Sequence, residues 1–522
     1  MLRALTRLLP LFMLISPGAA DYLVVIETVM SGRPFAQAVM IGPRTAVAVT
    51  ADRCLDGWSE FGRCRIADSV GGDGGFYLAG IEEKTDRLRL REEVSLLFES
   101  PDWIVIKIPD RPALERVNRL RVELKRLMPD HRDHPATADM APPMPAYDTL
   151  IQDMADMVSQ DTILAVVRRL RDFRTRYSST DSARACAAWL YGRFRQCDFD
   201  TVILDTFSLS YAPSVIAIKN GMIHPGRNYV VGSGHYDCTS QTPTTIAPGS
   251  NDNGSGTSAM MEATRILSRY QFEHGIRLIA FGGEEQGLLG SAYYANNAQL
   301  RQDTIVGVVN FDMFAYSTPN RDTMMIVNDT TYMDNLLLAQ FFAACADSYV
   351  PQLRYRVWTG LRPYSDHASF AEYGFHAVQA RENLAVSNPY YHTTGDTIGA
   401  GFNALEMCYQ GIRAGIATIA ALAVPYYPTA VAEPSGSIPD GPAIIHSPTI
   451  IRRGRPWNVT VRAAGPFILE TYDAAGRRSF TATGAPGPDR TVALHAETAP
   501  GVLFLVLRTD RVTETRKVVV LP

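Results

Sequence analysis

Short apolar runs dominate the first part of the chain. Tyr22-Leu23-Val24-Val25-Ile26 and Trp103-Ile104-Val105-Ile106 have strand length rather than helix length. They predict a β-rich segment over residues 21–128. From Tyr147 to Pro425 strand-like and helix-like stretches alternate, the pattern of an α/β layer fold. Tyr229 to Gly234, Arg277 to Phe281 and Ile305 to Phe311 read as buried strands, whereas Met260, Ala263 and Leu267 recur at helical spacing. Short alternating runs return in the tail, at Trp457 to Val461 and Val502 to Leu507, with turns such as Asp473-Ala474-Ala475-Gly476 between them. That pattern predicts a small Ig-like β-sandwich over 449–522.

Two compositional breaks separate these parts. Residues 129–146 are rich in Pro, His and Asp, and 426–448 in Pro, Gly and Ser, so both read as linkers around a domain at 147–425. At 522 residues the chain has room for about three domains, in line with that division. Residues 1–20 have the layout of an export signal: Arg3 and Arg7, an apolar stretch from Leu8 to Ile15, then Gly18-Ala19-Ala20 before Asp21. No other apolar run approaches the ~20 residues of a membrane span, so no integral membrane segment is expected. The expected location is secreted, cell-surface or periplasmic, in a bacterium.

Composition then narrows the function. With 46% hydrophobic and 20% charged residues the chain builds a full core, which excludes a disordered protein. A net charge of −4 without a basic stripe argues against nucleic acid as a partner. Seven cysteines fit an oxidising compartment; Cys54 with Cys64 and Cys186 with Cys197 are near enough in sequence to pair. No Cys-x-x-Cys occurs, which argues against a cysteine zinc site.

The chemistry lies in the middle domain. His235-Tyr236-Asp237 follows the first buried strand, Gly282-Gly283-Glu284-Glu285 the second, and Asp312-Met313 the third. Between the first two, Pro248 to Gly256 carries Asp252 into a helix. Strand C-termini form the ligand crevice of open α/β sheets, so His235, Glu284, Glu285, Asp312 and Asp252 are expected at one rim. Four carboxylates in one dry crevice repel one another unless cations compensate them. Imidazole with carboxylate suits zinc, and His392 in Tyr391-His392-Thr393 completes a set for two metals. Singly, each motif is an ordinary surface feature; their succession at strand ends points to a metal site.

In this order, HYD, PGSNDNGSG, FGGEEQGLLGS, NFDM, YSDHASF and YYHTTGDT resemble the zinc exopeptidases of the bacterial leucyl aminopeptidase and aminopeptidase Y type. The resemblance covers roughly residues 150 to 425. It implies a mixed, mostly parallel central sheet flanked by helices, and two zinc ions. By the same resemblance, Asp252 bridges the metals, His235 and Asp312 complete one shell, and Glu285 and His392 complete the other. Glu284 is the implied general base. Asp237 is expected to orient His235 and Ser365 to orient His392. Tyr364 or Arg362 is the expected oxyanion or substrate contact, since the cysteine-bracketed tyrosine of the leucyl enzyme has no counterpart here. The resemblance also implies a cis Asp252–Asn253 bond. Asn251 stands where an aspartate is common; that side chain is not a ligand.

Peptide substrates and an aminopeptidase activity follow from the resemblance. The alternatives are a glutaminyl cyclase-like aminoacyltransferase, another exopeptidase (carboxypeptidase or dipeptidase), and a non-catalytic binding protein that has lost its metals. A cyclase should surround the zinc with tryptophans, and a binding protein should lack ligands. The tail resembles the C-terminal sorting modules of secreted bacterial enzymes, which implies export machinery as a partner. The 21–128 segment reads equally as a removable propeptide, a substrate-binding module or plain packing.

Overall fold

A computed structural model describes residues 21–27, 39–42, 45–50, 63–70, 75–81, 84–99, 104–127, 147–362, 364–427 and, in the tail, 443–446, 450–452, 456–463, 466–473, 478–485, 487–495, 501–509 and 513–521. The expected export signal, the first linker, most of the second linker and Cys54 lie outside these residues. The chain divides into two compact units, Met1–Tyr426 and Tyr427–Pro522.

The first unit opens with two antiparallel sheets. Strands β1 (Asp21–Glu27), β2 (Val39–Gly42), β3 (Thr45–Thr50) and β4 (Arg63–Val70) form one, in the order β2-β3-β1-β4. The second combines β5 (Gly75–Ile81), β6 (Ser95–Glu99), β7 (Ile104–Ile108) and β8 (Val122–Leu127), in the order β6-β7-β5-β8. Helices α1 (Lys84–Glu93) and α2 (Arg111–Val117) interrupt it, so the segment is less purely β than its apolar runs imply. Asp110 caps α2, its side chain accepting from Ala113 N at 2.8 Å, with Pro112 in the first turn where no intrahelical N–H is needed.

Three helices follow: α3 (Thr149–Asp156), α4 (Gln160–Arg171) and α5 (Asp181–Phe194). Then come β9 (Thr201–Asp205), β10 (Ser214–Lys219), β11 (His224–His235), α6 (Gly254–Leu267), β12 (His274–Phe281), α7 (Leu289–Leu300) and β13 (Thr304–Phe311). The domain closes with β14 (Met324–Asp329), α8 (Leu336–Tyr349), β15 (Tyr355–Gly360), α9 (Asp366–Glu372), β16 (Ala377–Arg381) and α10 (Leu405–Ala423). All its strands join one sheet, ordered β15-β14-β16-β13-β11-β12-β10-β9. The centre is parallel: β11 pairs with β12 and β13, and β13 with β16. β10 runs antiparallel to β9 and β12, and β14 antiparallel to β16. This is the mixed sheet flanked by helices that the motifs imply. Cys186 and Cys197 are free thiols, the first buried in the helical core, so the suggested pairing is not made.

Alternation along the second N-terminal sheet gives it two buried faces. Tyr77, Ala79, Ile104, Ile106, Val122 and Leu124 pack with Leu90, Ala113, Leu114 and Val117 of the two helices. The opposite positions Phe76, Leu78, Val105 and Leu127 share a cluster with Leu288, Tyr332, Tyr364, Ala368 and Ala371 of the α/β domain. Glu123 and Lys125 have the same parity as Leu127, so they too face that domain. Lys125 Nζ is fully buried in an ion pair with Glu372 of α9, beneath the ring of Tyr332 at 5.1 Å. Arg126 N donates to Gly287 O at 3.1 Å, joining edge strand β8 to the loop after β12.

The second unit is a two-sheet β structure. Its sheets are ordered β17-β19-β22 and β18-β24-β23-β20-β21, from β17 (Ala443–His446), β18 (Ile450–Arg452), β19 (Pro456–Ala463), β20 (Phe467–Asp473), β21 (Arg478–Gly484), β22 (Gly487–His495), β23 (Gly501–Arg508) and β24 (Thr513–Leu521). Val459, Val461 and Leu494 of one sheet and Leu469, Leu505 and Val518 of the other belong to one apolar cluster, as in a sandwich. β17 lies within the stretch read as linker.

The Lys125–Glu372 pair has a measurable signature. Removing one partner strands a buried charge, so Lys125→Met or Glu372→Leu alone should cost about 3–5 kcal/mol. The double substitution, Lys125→Met with Glu372→Leu, should cost less than either single one. Denaturant unfolding of the four proteins checks this, and additive losses would contradict it.

Candidate metal centre

The site begins with strand register. His235 pairs with Phe281 across β11 and β12, and Ser233 with Asn310 across β11 and β13. The three parallel strands therefore end level, and the residues that leave them meet at one rim: His235, then Glu284 and Glu285, then Asp312. The turn to the two glutamates uses Gly283 at φ +75°, a left-handed conformation that costs glycine little. Asp252 arrives from the loop before α6, through the cis Asp252–Asn253 bond that the motif resemblance implies. Asn253 caps the helix, its Oδ1 accepting from Gly256 N at 2.7 Å. Gly256 is required there, because a Cβ would lie 2.2 Å from Phe311 O of β13.

These side chains converge. His235 Nε2 lies 3.3 Å from Asp312 Oδ1, 3.5 Å from Asp252 Oδ1 and 3.9 Å from Glu284 Oε2. His392 Nε2 lies 3.1 Å from Asp252 Oδ2 and 3.0 Å from Glu285 Oε2. Asp252 thus turns one oxygen to each histidine. Zinc bonds of about 2.0–2.1 Å at tetrahedral angles separate neighbouring ligand atoms by about 3.3 Å, close to these spacings. The donor set is imidazole and carboxylate, which suits zinc. Glu285 Oε1 is buried with no hydrogen-bond partner among the described residues. The residues fit a metal centre.

The charge balance says the same. Asp237, Asp252, Glu284, Glu285, Asp312, Asp366, Glu382 and Asp396 are all buried within this region. Burial first, then repulsion from Asp312 and Glu285, holds the Glu284 carboxyl well above the usual range against the pull of His235. Burial likewise pushes Glu285 up to about 7, opposed by His392. For His392 burial works the other way, yet Glu285 and Asp252 carry the imidazole up to about 10. Such acids ionise together only beside compensating cations.

Other expected roles divide. Asp237 meets His235 Nδ1 chiefly through its backbone oxygen, at 3.1 Å, with its carboxylate at 3.7 Å. Its two carboxylate oxygens instead accept from Glu284 N and Glu285 N at 3.2 and 3.3 Å, pinning the glutamate turn. Ser365 does not serve His392: at the start of α9 it accepts from Asn310 Nδ2 at 2.8 Å and bonds Asp312. The reason is topological, since β16, which follows α9, pairs with β13 and draws that helix to the Asp312 side. Tyr364 lines the site, whereas Arg362 is drawn to Glu123.

Sequence reasoning missed several residues. Asp396, within the quoted TTGDT, accepts from Asn251 N and Asp252 N at 3.0 and 2.9 Å and so positions Asp252. Glu382 accepts from Asn251 Nδ2 at 2.7 Å, Tyr316 N at 3.1 Å and Asn388 Nδ2 at 3.2 Å. Burial raises its carboxyl to about 8, so an aspartate in place of Asn251 would set two acids together. Gln379 Nε2 donates to Asp312 Oδ2 at 3.1 Å. From outside the α/β domain, Glu123 and Leu124 of β8 join the converging acids and histidines, Tyr364, Tyr391 and Arg381 in lining one cavity.

Known proteins resemble this chain in sequence and in fold. Residues 214–412 match the sequence model of peptidase family M28. A probable zinc metalloprotease of Pyrenophora teres f. teres is 33% identical over 202 residues, 34% of this chain and 41% of the relative. Leucine aminopeptidase 1 of Trichophyton equinum is 29% identical over 291 residues, 50% of this chain and 76% of the relative. The chain thus spans less than half the length of the first relative. The crystal structure of the Legionella pneumophila LapA aminopeptidase superposes with a TM-score of 0.56 at 20% identity, covering 67% of this chain and 98% of that one, a likeness of fold. Residues 214–412 are thus similar in sequence to peptidase family M28, and the chain is similar in fold to the LapA aminopeptidase.

Proposed function

We propose that this chain is an exported zinc exopeptidase that removes N-terminal residues from peptides. The observation that carries the reading is Asp252, whose two oxygens face His235 and His392 separately at 3.5 and 3.1 Å. That arrangement suits two ions sharing one carboxylate, with His235 and Asp312 on one side and Glu285 and His392 on the other. Zinc bound there would supply Lewis acidity toward a scissile carbonyl and toward water.

The rest of the work falls to the chain. Glu284, its Oε2 3.9 Å from His235 Nε2, lies against the His235–Asp312 side, and in this reading it is the proton carrier, from water to the leaving amine. Asp237 holds its backbone, and Asp396 holds that of Asp252. Glu123 and Leu124 of β8 line the cavity beside these residues. Tyr364 and Tyr391 line the cavity wall, and among the described residues no tryptophan does, which disfavours the cyclase reading. The export signal at 1–20 and the sorting role of the tail belong to this reading.

The adjacent glutamates separate it from charge counting. Glu285→Gln should lower zinc content, because an amide is a poorer ligand. Glu284→Gln should keep zinc and lose turnover by about 10²–10⁴-fold. Zinc stoichiometry and kcat on aminoacyl substrates, with acyl-blocked ones as controls, check both; zinc lost from Glu284→Gln but kept by Glu285→Gln would swap the roles. Hydrolysis confined to blocked substrates would sink the aminopeptidase reading. Deleting residues 440–522 should leave zinc content and turnover intact, since every proposed ligand lies in the first unit. A folded truncation without activity would make the tail part of the enzyme.

A further inference from the structure

Beside the metal centre two arginines converge on one carboxylate. Arg381, at the end of β16, and Arg362, after β15, each place Nη2 2.9 Å from the same oxygen, Oε1 of Glu123. Arg381 is buried, and its Nη1 lies 3.9 Å from Oδ2 of the proposed ligand Asp312. Arg362 is fixed from behind, its backbone N donating to Asp329 Oδ1 at 2.9 Å. Guanidinium pairs of this kind are a recognition device for carboxylates.

The carboxylate they hold comes from elsewhere in the chain. Glu123 belongs to edge strand β8, an extended segment that reaches the cavity from the N-terminal sheet and bonds the loop after Glu285 through Arg126 N. An extended backbone along a cleft edge, with an acidic side chain entering the site, has the form of a peptide ligand. Two guanidinium groups directed at one carboxylate oxygen suit an anionic occupant.

We infer that Arg362 and Arg381 form a carboxylate subsite of the proposed peptidase centre, and that Glu123 occupies it in place of an acidic group of the substrate. The inference rests on the exopeptidase reading for its substrate, a peptide with either an acidic side chain or a C-terminal carboxylate next to the cleaved bond. The subsite itself rests on the arginine geometry.

The test uses the full-length zinc-loaded chain as wild type, Glu123→Ala, the near-isosteric Glu123→Gln, and Glu123→Ala combined with Arg362→Gln. Vacating the subsite should raise kcat/KM for carboxylate-bearing substrates over neutral ones by about tenfold or more, and Arg362→Gln should cancel that gain. Glutamyl against glutaminyl amides report a side-chain carboxylate, and alanyl dipeptides against their amides report a terminal one. Independently of turnover, succinate should raise the melting temperature of Glu123→Ala above that in chloride of equal ionic strength, with no such rise in wild type. If no variant turns over any peptide but succinate still stabilises Glu123→Ala, the subsite stands and the peptidase reading fails. Equal gains on neutral and acidic substrates, or no succinate effect on either single variant, would overturn the subsite; Glu123 would then merely fill space.

Discussion

Everything at the centre of this molecule depends on concentrating negative charge where water is excluded. Three parallel strands end level, and each delivers an acid or a histidine to the same rim. Buried carboxylates at such spacing cost several kcal/mol apiece unless cations or hydrogen-bond donors answer them. The fold supplies some of the answer in backbone N–H groups, from Glu284 and Glu285 to Asp237 and from Asn251 and Asp252 to Asp396. His235 and His392 supply a further part. The remainder fits metal ions, and the surrounding geometry, from the Gly283 turn to the close approach at Gly256, holds the acids in position for them.

Much of this was legible in the sequence, because strand-end motifs are local. The Glu-Glu turn after one apolar run, the histidine after another and the Asp252 loop opening a helix each declare their place without knowledge of distant packing. What was not legible depended on contacts between remote segments. Ser365 reads as a neighbour of His392, yet the sheet order carries its helix toward Asp312. Asp396 and Glu382 look like ordinary loop acids until the loop carrying Asn251 folds over them.

β8 is the clearest case. In Val-Glu-Leu-Lys-Arg-Leu, Val122 and Leu124 fall on one face of the strand and Glu123 and Lys125 on the other. In the structure the polar face is buried as well, with Lys125 on Glu372 and Glu123 between Arg362 and Arg381. Alternation reports which side chains share a face; it does not report whether a second domain covers the other one. The N-terminal segment is therefore more than an appendage, since its second sheet shares an apolar cluster with the α/β domain and forms part of the cavity wall.

The central claim is that Asp252 holds two ions at once. Native mass spectrometry of the zinc-titrated chain beside Asp252→Asn addresses it most directly. The account predicts two zinc ions per wild-type chain and loss of both at the same zinc concentration in the variant, because each shell shares that carboxylate. An Asp252→Asn protein that retains both ions, or a wild-type chain that saturates at one, would contradict it.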